Sequence, residues 1–182
     1  MGQTGVNIVD GVLELEVGSG RWVRKAQGDT GWTDYELRFL YKCVNPGAYG
    51  PRLGAHVRRI DGNNYYQFTD EDYPTGTTRK RLKKRVGGTL TTIDENTGSA
   101  YVTNVGTWYE VWVRVYGNNL KAFWNGTEIL SATPTEHAYG GIEFITWDTG
   151  SKIHLDTIFV RKFAYPEPSH GDWGAEEKTF SI

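Results

Sequence analysis

The stretch "GTWYEVWVRVYGNNLKAFWNGTEIL", residues 106–130, decides the fold class. Tyr109, Val111, Val113 and Val115 take every second position, and Trp108, Glu110, Trp112 and Arg114 fill the places between. A period of two is what a pleated strand with one buried face requires. "GNN" at 117–119 reads as a turn, after which the chain returns through "LKAFW". Asn125-Gly126 follows, a strong hairpin signal because both residues of a tight two-residue turn must reach positive φ. Strand, turn, strand, turn and strand in one run is antiparallel β chemistry.

The same pattern recurs outward from this stretch. "TDYELRFLYK" (33–42) places Tyr35, Leu37, Phe39 and Tyr41 on one face and Glu36 and Arg38 on the other. "GVLELEV" (11–17) alternates Leu13, Leu15 and Val17 with Glu14 and Glu16. "DGNN" at 61–64 and "VGG" at 86–88 read as further turns, and no window carries a capped helical period. The spacing predicts about 12 or 13 short strands. The fold class expected is all-β, a two-sheet antiparallel β-sandwich of the jelly-roll kind.

Composition agrees: 23 Gly, 11 Tyr and 7 Trp accompany a single Met. At 182 residues the chain reads as one domain with a tail, long enough to bury roughly 70% of its unfolded surface. The single cysteine, Cys43, excludes an internal disulfide and reads as a small buried thiol. No apolar run reaches the length of a membrane helix. The opening "MGQTGVNIVD" lacks a charged start and an apolar stretch, so an exported protein would have lost its signal already. From Ala164 onward, "AYPEPSHGDWGAEEKTFSI" replaces alternation with prolines, glycines and charges. Residues 1–163 therefore read as the folded domain, and 164–182 as a linker or flexible tail of a multidomain chain.

"RKRLKKR" (79–85) puts six cations into seven positions of a chain whose net charge is −2. Removing those 6 of the 20 Lys and Arg leaves 14 against 22 Asp and Glu, or −8 for the rest. An acidic body opposes nucleic-acid binding, which wants basic residues spread over a groove-sized face. On a strand, Arg79, Arg81 and Lys83 face one way and Lys80, Leu82 and Lys84 the other. Cations on both faces suit a solvated arm or a protected edge strand, and also suit a surface for an anionic glycan that includes Arg81.

In order, "GWTDYELRF", "GAHVRRIDGNNYYQF", "GTWYEVWVRVYGNNLKAFWNGTEIL", "GGIEFITWD" and "HLDTIFVRKF" resemble the concanavalin A-like lectin/glucanase superfamily. More narrowly, they resemble the laminin-G-like jelly-roll modules of microbial carbohydrate-active and cell-surface proteins. The resemblance covers about residues 10 to 163. It implies two curved sheets, the concave one commonly binding sugar, and makes "TTRKRLKKRVGGTLTTIDE" two strands joined at Gly87-Gly88. It also implies a non-catalytic, extracellular or cell-surface module whose partner is a polysaccharide or glycan, acidic ones included. The alternatives are a structural or protein-interaction domain of a surface or viral particle and, third, a polysaccharide-cleaving enzyme. Related jelly rolls place an aspartate on the last strand to hold a structural calcium with carbonyls near the amino terminus. Asp156 matches that aspartate, and Asp10 is a second candidate.

Parity supplies the binding candidates. His56 and Arg58 alternate with Ala55 and Val57, Tyr65 and Gln67 with Tyr66 and Phe68, and Glu143 and Trp147 with Phe144 and Thr146. If these three strands are neighbours, His56, Arg58, Tyr65, Gln67, Glu143 and Trp147 form one polar and aromatic patch. Sugar C–H faces pack on rings while planar polar groups bond the hydroxyls. Trp108 and Trp112 read instead as packed beneath loops. For catalysis, the paired carboxylates of retaining glycosidases have weak counterparts in Glu14 with Glu16 and in "DED" at 70–72, which reads as a loop. The four histidines show no metal-ligand spacing, and no nucleophile–base pair is visible.

Overall fold

The computed structural model describes residues 5–19, 22–72, 77–98 and 101–166. Thirteen strands follow one another without an α-helix among the described residues. They are Val6–Val9 (β1), Val12–Glu16 (β2), Trp22–Gln27 (β3), Tyr35–Pro46 (β4), Arg52–Asp61 (β5), Asn64–Glu71 (β6) and Lys80–Val86 (β7). Thr89–Asn96 (β8), Trp108–Tyr116 (β9), Asn119–Trp124 (β10), Thr127–Ala132 (β11), Gly141–Trp147 (β12) and Ser151–Lys162 (β13) complete the set. They form a seven-stranded sheet, β1-β2-β13-β4-β9-β10-β11, and a six-stranded sheet, β3-β12-β5-β6-β7-β8. All their pairings are antiparallel. The expected jelly-roll sandwich is what forms.

The alternating residues read from the sequence make the core. Leu37, Phe39 and Tyr41 of β4 and Val111, Val113 and Val115 of β9 are fully buried. Across the gap stand Leu53, Ala55 and Val57 of β5 and Tyr66 and Phe68 of β6. Each such Val, Leu or Phe side chain contributes about 1.5–3 kcal/mol on leaving water. Phe39 meets Phe144 edge-on at 4.9 Å, which joins the two sheets at their centre. The turns take the expected form: Asn125 and Gly126 have φ of 48° and 79°, and Gly87 and Gly88 have 53° and 90°.

Four expectations need correction. "RKRLKKR" is neither an edge nor a solvated arm, because β7 lies between β6 and β8 and its Lys80 is fully buried between the sheets. Glu36, expected on the solvated face of β4, is also fully buried, and Arg114, Arg161 and Arg38 surround it at 2.6, 3.0 and 3.8 Å. "DED" is not a loop: Asp70 and Glu71 end β6. Trp112 lies under the Arg38 guanidinium, 3.4 Å from its ring centroid, and Trp108 under the Lys42 ammonium, so cations rather than loops cover them. Cys43 is buried as expected, and burial pushes its thiol up to about 12. The tail lies outside the described residues from 167 onward.

Tyr35 ties the sheets together at one end of the sandwich. Its hydroxyl accepts the Arg58 backbone N–H at 2.6 Å and lies 3.1 Å from the Gly140 carbonyl, to which it donates. A β4 residue thus closes polar backbone groups of β5 and of the entry to β12. Tyr35→Phe strands both groups in a dry site, where an unmade hydrogen bond costs about 1–3 kcal/mol. Urea unfolding will show that loss as a lower midpoint with an unchanged slope.

Candidate functional site

The outer face of the six-stranded sheet carries a groove of about 850 Å³. Strand parity builds it. Because Tyr66 and Phe68 must enter the core, Tyr65, Gln67, Thr69 and Glu71 of β6 all point outward. Register then sets their neighbours: Glu143 lies opposite His56, His56 opposite Gln67, and Gln67 opposite Lys83. The condition set by the sequence, that β12, β5 and β6 be adjacent, is met.

One wall is aromatic. Trp22 and Trp147 are direct cross-strand partners on β3 and β12, and Tyr49 stands in the loop after β4. Trp22 is 46% and Tyr49 58% exposed, which leaves large ring faces open to solvent. Tyr65, Gln67, Thr69 and Ile145 form the floor, and Leu90 and Lys83 stand on the far side. Gly54 lies between Ile145 and Thr69 in the same row. A Cβ there would collide with the Gln67 amide and with Ile145, so a glycine is what lets both lie flat over β5.

The charges of the groove are paired. Glu71 holds Lys83 through one carboxylate oxygen and Arg81 through the other at 2.9 Å, and Arg81 also holds Glu95. Burial alone would raise the Glu71 carboxyl, but the Lys83 and Arg81 cations hold it below its ordinary value. At the other end the Arg52 Nε donates to Asp148 at 2.9 Å. Each cation at the groove therefore has an anion beside it.

His56 and Glu143 lie on this face, each 2% exposed, but neither is among the residues that line the groove. The His56 ring stacks on Tyr65 at 3.9 Å and 10°. Its Nδ1 is 2.8 Å from the Glu143 carboxylate, off the line of a straight hydrogen bond, and neither ring nitrogen has a hydrogen-bond partner. Glu143 also faces Arg59 at 3.2 Å and Arg24 at 3.8 Å, and Arg24 in turn lies over Trp22. Trp22, Arg24, Glu143, His56 and Tyr65 thus form one continuous support beside the groove.

Of the residues named from sequence, Tyr65, Gln67 and Trp147 line the groove, and Arg81 fixes the Glu71 that does. Arg58 does not join them. β5 bulges after Val57, Arg58 takes φ 44°, and its guanidinium bonds the carbonyls of Thr33 and His137 and the Asp34 carboxylate instead. The bulge breaks the parity on which the expectation rested. Sequence reading missed Trp22, Tyr49, Thr69, Glu71, Lys83 and Asp148. Alternation of Trp22 and Arg24 around the buried Val23 would have given the first; the loop carrying Tyr49 has no period to read.

Asp156 sits elsewhere, on the seven-stranded sheet. Leu155 pairs with Leu13, and Asp156 lines one cavity together with Gly11 of the β1–β2 turn. One Asp156 oxygen accepts the Thr157 N–H at 2.6 Å, and the cavity is also walled by Ile8, Leu13, Phe144 and Ile158 with Lys25. No three His, Cys, Asp or Glu converge on a metal position among the described residues.

Burial pushes the His56 imidazole below its ordinary range, against the pull of Glu143. A folded-state pKa below the unfolded one means that unfolded chains gain the proton first. Stability from this site is full above about pH 6.5 and falls as the pH drops below it. Melting curves from pH 7.5 to 5 will show a steeper acid loss in the parent chain than in His56→Phe.

No protein-family model and no curated protein matches the sequence. Solved structures do match in fold. The carbohydrate-binding module CBM66 from Bacillus subtilis superposes with a TM-score of 0.68 at 13% identity, covering 82% of this chain and 86% of that one. The exoplasmic/lumenal domain of VIP36, in a Ca2+/Man3GlcNAc-bound form, gives 0.69 at 9% identity, with 92% and 84% covered. A putative glycosyl hydrolase from Parabacteroides distasonis gives 0.60 at 16%, with 87% and 90% covered. The chain shares the two-sheet jelly-roll fold of these proteins.

Proposed function

We propose that this chain binds a neutral carbohydrate along the groove on the outer face of its six-stranded sheet. The observation that carries the reading is the aromatic wall: Trp22 and Tyr49 stand exposed, with Trp147 half-buried, beside a floor holding the Gln67 amide. Open ring faces are costly in water unless something packs on them. Sugar rings present C–H faces of the right size, and amide and carboxylate groups take their hydroxyls. The sugar-binding proteins among the fold neighbours support the same reading.

Charge selects the class of sugar. Lys83 and Arg81 would serve an acidic glycan only by leaving Glu71 and Glu95, whose loss exposes two carboxylates to the ligand. The pairs together carry no net charge, so a neutral chain fits and a uronate or sulfate gains little. The reading is of a non-catalytic module in a larger secreted or surface protein. Glu14 is engaged by His154 and Lys152, Glu16 by Lys152, and Asp70 and Asp72 by Lys80, so both carboxylate pairs weighed for hydrolysis are committed to ion pairs. A calcium at Asp156 would stabilise the β1–β2 turn on the other sheet, and glycan retention would be indifferent to chelator.

Retention on a panel of neutral and acidic polysaccharides, at low and moderate salt and with and without chelator, tests this. Neutral-glycan retention that resists salt is expected, because exposed charges are screened and stacking is not. Trp147→Ala and Trp22→Ala will each weaken it about tenfold or more, the scale of losing one central aromatic anchor. Retention of acidic polymers alone, lost as salt rises, would reassign the site to the β7 cations. No retention at all would make this face a meeting surface for another protein chain.

A further inference from the structure

Between the sheets, remote in role from the groove, lies a polar cluster that glycan binding does not use. Lys80 and Asp70 are direct cross-strand partners on β7 and β6, and both are fully buried. The Lys80 Nζ is 2.5 Å from Asp70 Oδ1, 3.0 Å from Asp72 Oδ1 and 3.0 Å from Thr103 Oγ1. Thr103 donates its hydroxyl to the other Asp70 oxygen at 2.7 Å, and its backbone N–H to Asp72 Oδ2 at 2.6 Å. Around this stand Trp124, with its ring 4.6 Å from the ammonium, and the buried Tyr41, Phe68 and Cys43.

We propose that Lys80 and Asp70 condense within the folded protein to an amide cross-link between β7 and β6, with Asp72 relaying the protons. The reaction needs no reagent that the site lacks. It starts from the Lys80 ammonium, the protonated Asp70 acid and the Asp72 carboxylate. Asp72 takes a proton from Lys80, and the freed amine attacks Asp70 Cγ to form the C–N bond. Electrons move onto Asp70 Oδ2, where the Thr103 hydroxyl stabilises the developing charge. Asp72 returns a proton to the departing oxygen, which leaves as water, and takes back the second proton from nitrogen. One amide N–H, one water and a protonated Asp72 result, so hydrogen and charge both balance.

The surroundings favour each part of this step. Fixing amine and acid in contact replaces a bimolecular encounter by a unimolecular one, which is worth many powers of ten in rate. In water, condensation of an amine and an acid is opposed chiefly because both prefer to ionise. Burial weakens that preference for the acid: it raises the Asp70 carboxyl to about 6, Lys80 opposing, so a fraction of the acid is neutral near neutral pH. An uncharged amide then replaces a buried ion pair, whose desolvation is costly. Asp72, at the margin of the cluster with its side chain 8% exposed, gives the water a way out.

The test is the mass of the intact chain, folded at neutral pH and then denatured for mass spectrometry. A chain one water lighter than its sequence is expected, with a protease-resistant branched peptide joining the β6 and β7 segments through Lys80 and Asp70. Peptide mapping is needed because Asp10-Gly11 and Asp61-Gly62 can also lose water, as cyclic imides that hydroxylamine opens and an amide survives. Asp72→Asn, which keeps the shape and removes the proton relay, should return the full sequence mass with an unchanged circular dichroism spectrum. Lys80→Arg removes the nucleophile and serves as the uncrosslinked mass standard. An intact parent chain of full sequence mass, yielding separate Lys80 and Asp70 peptides after prolonged folded incubation, overturns the proposal. This result is independent of whether any glycan binds.

Discussion

The pleat of the six-stranded sheet is the constraint on which the rest depends. Tyr66 and Phe68 must point into the gap to meet Trp124 and the seven-stranded sheet, so Tyr65, Gln67, Thr69 and Glu71 have only the outer face. The same holds for β12, where burial of Ile142, Phe144 and Thr146 fixes Glu143, Ile145 and Trp147 outward. A slip of one residue in either strand would move the whole outer set into the core. The groove is therefore a by-product of core packing, and its geometry is as rigid as the core beneath it.

Charge follows the same logic of enclosure. The outer and inner faces of β6 and β7 hold their ions differently. On the outer face Glu71, itself buried, shares its two carboxylate oxygens between Lys83 and Arg81 at the edge of the groove, which sets the positions of all three. Between the sheets Lys80 has no solvent to fall back on, and two aspartates, Asp70 and Asp72, face its one nitrogen. The seven-stranded sheet repeats the theme with opposite sign, one buried Glu36 facing three arginines.

The support beneath the groove joins the two themes. His56 carries no straight hydrogen bond, yet it is flanked by Glu143 and stacked on Tyr65, so its neutral ring acts as a packing element in a polar setting. Arg24 and Arg59 neutralise Glu143 from the other side. An aromatic floor held by buried charge changes shape less on binding than one held by loops, which favours recognition by a preformed surface.

By itself the sequence determined the strands, their inner faces and the fold class. Period-two alternation around Val111 and Leu37 and the Asn125-Gly126 turn are local properties, set by the pleat and by the φ that a tight turn demands. It also named three of the groove residues, Tyr65, Gln67 and Trp147, because parity along one strand is local too. What only the tertiary structure decided is which strands are neighbours. Pairing put Trp22 opposite Trp147, brought Glu71 to Lys83, and turned a basic run that looked solvated into buried and bridged cations. The bulge that removed Arg58 from the face was likewise unreadable, since the one residue that β5 gains against β12 reverses parity there and leaves no mark in composition. Distances along the chain fix a strand's two faces; only register across strands fixes what those faces meet.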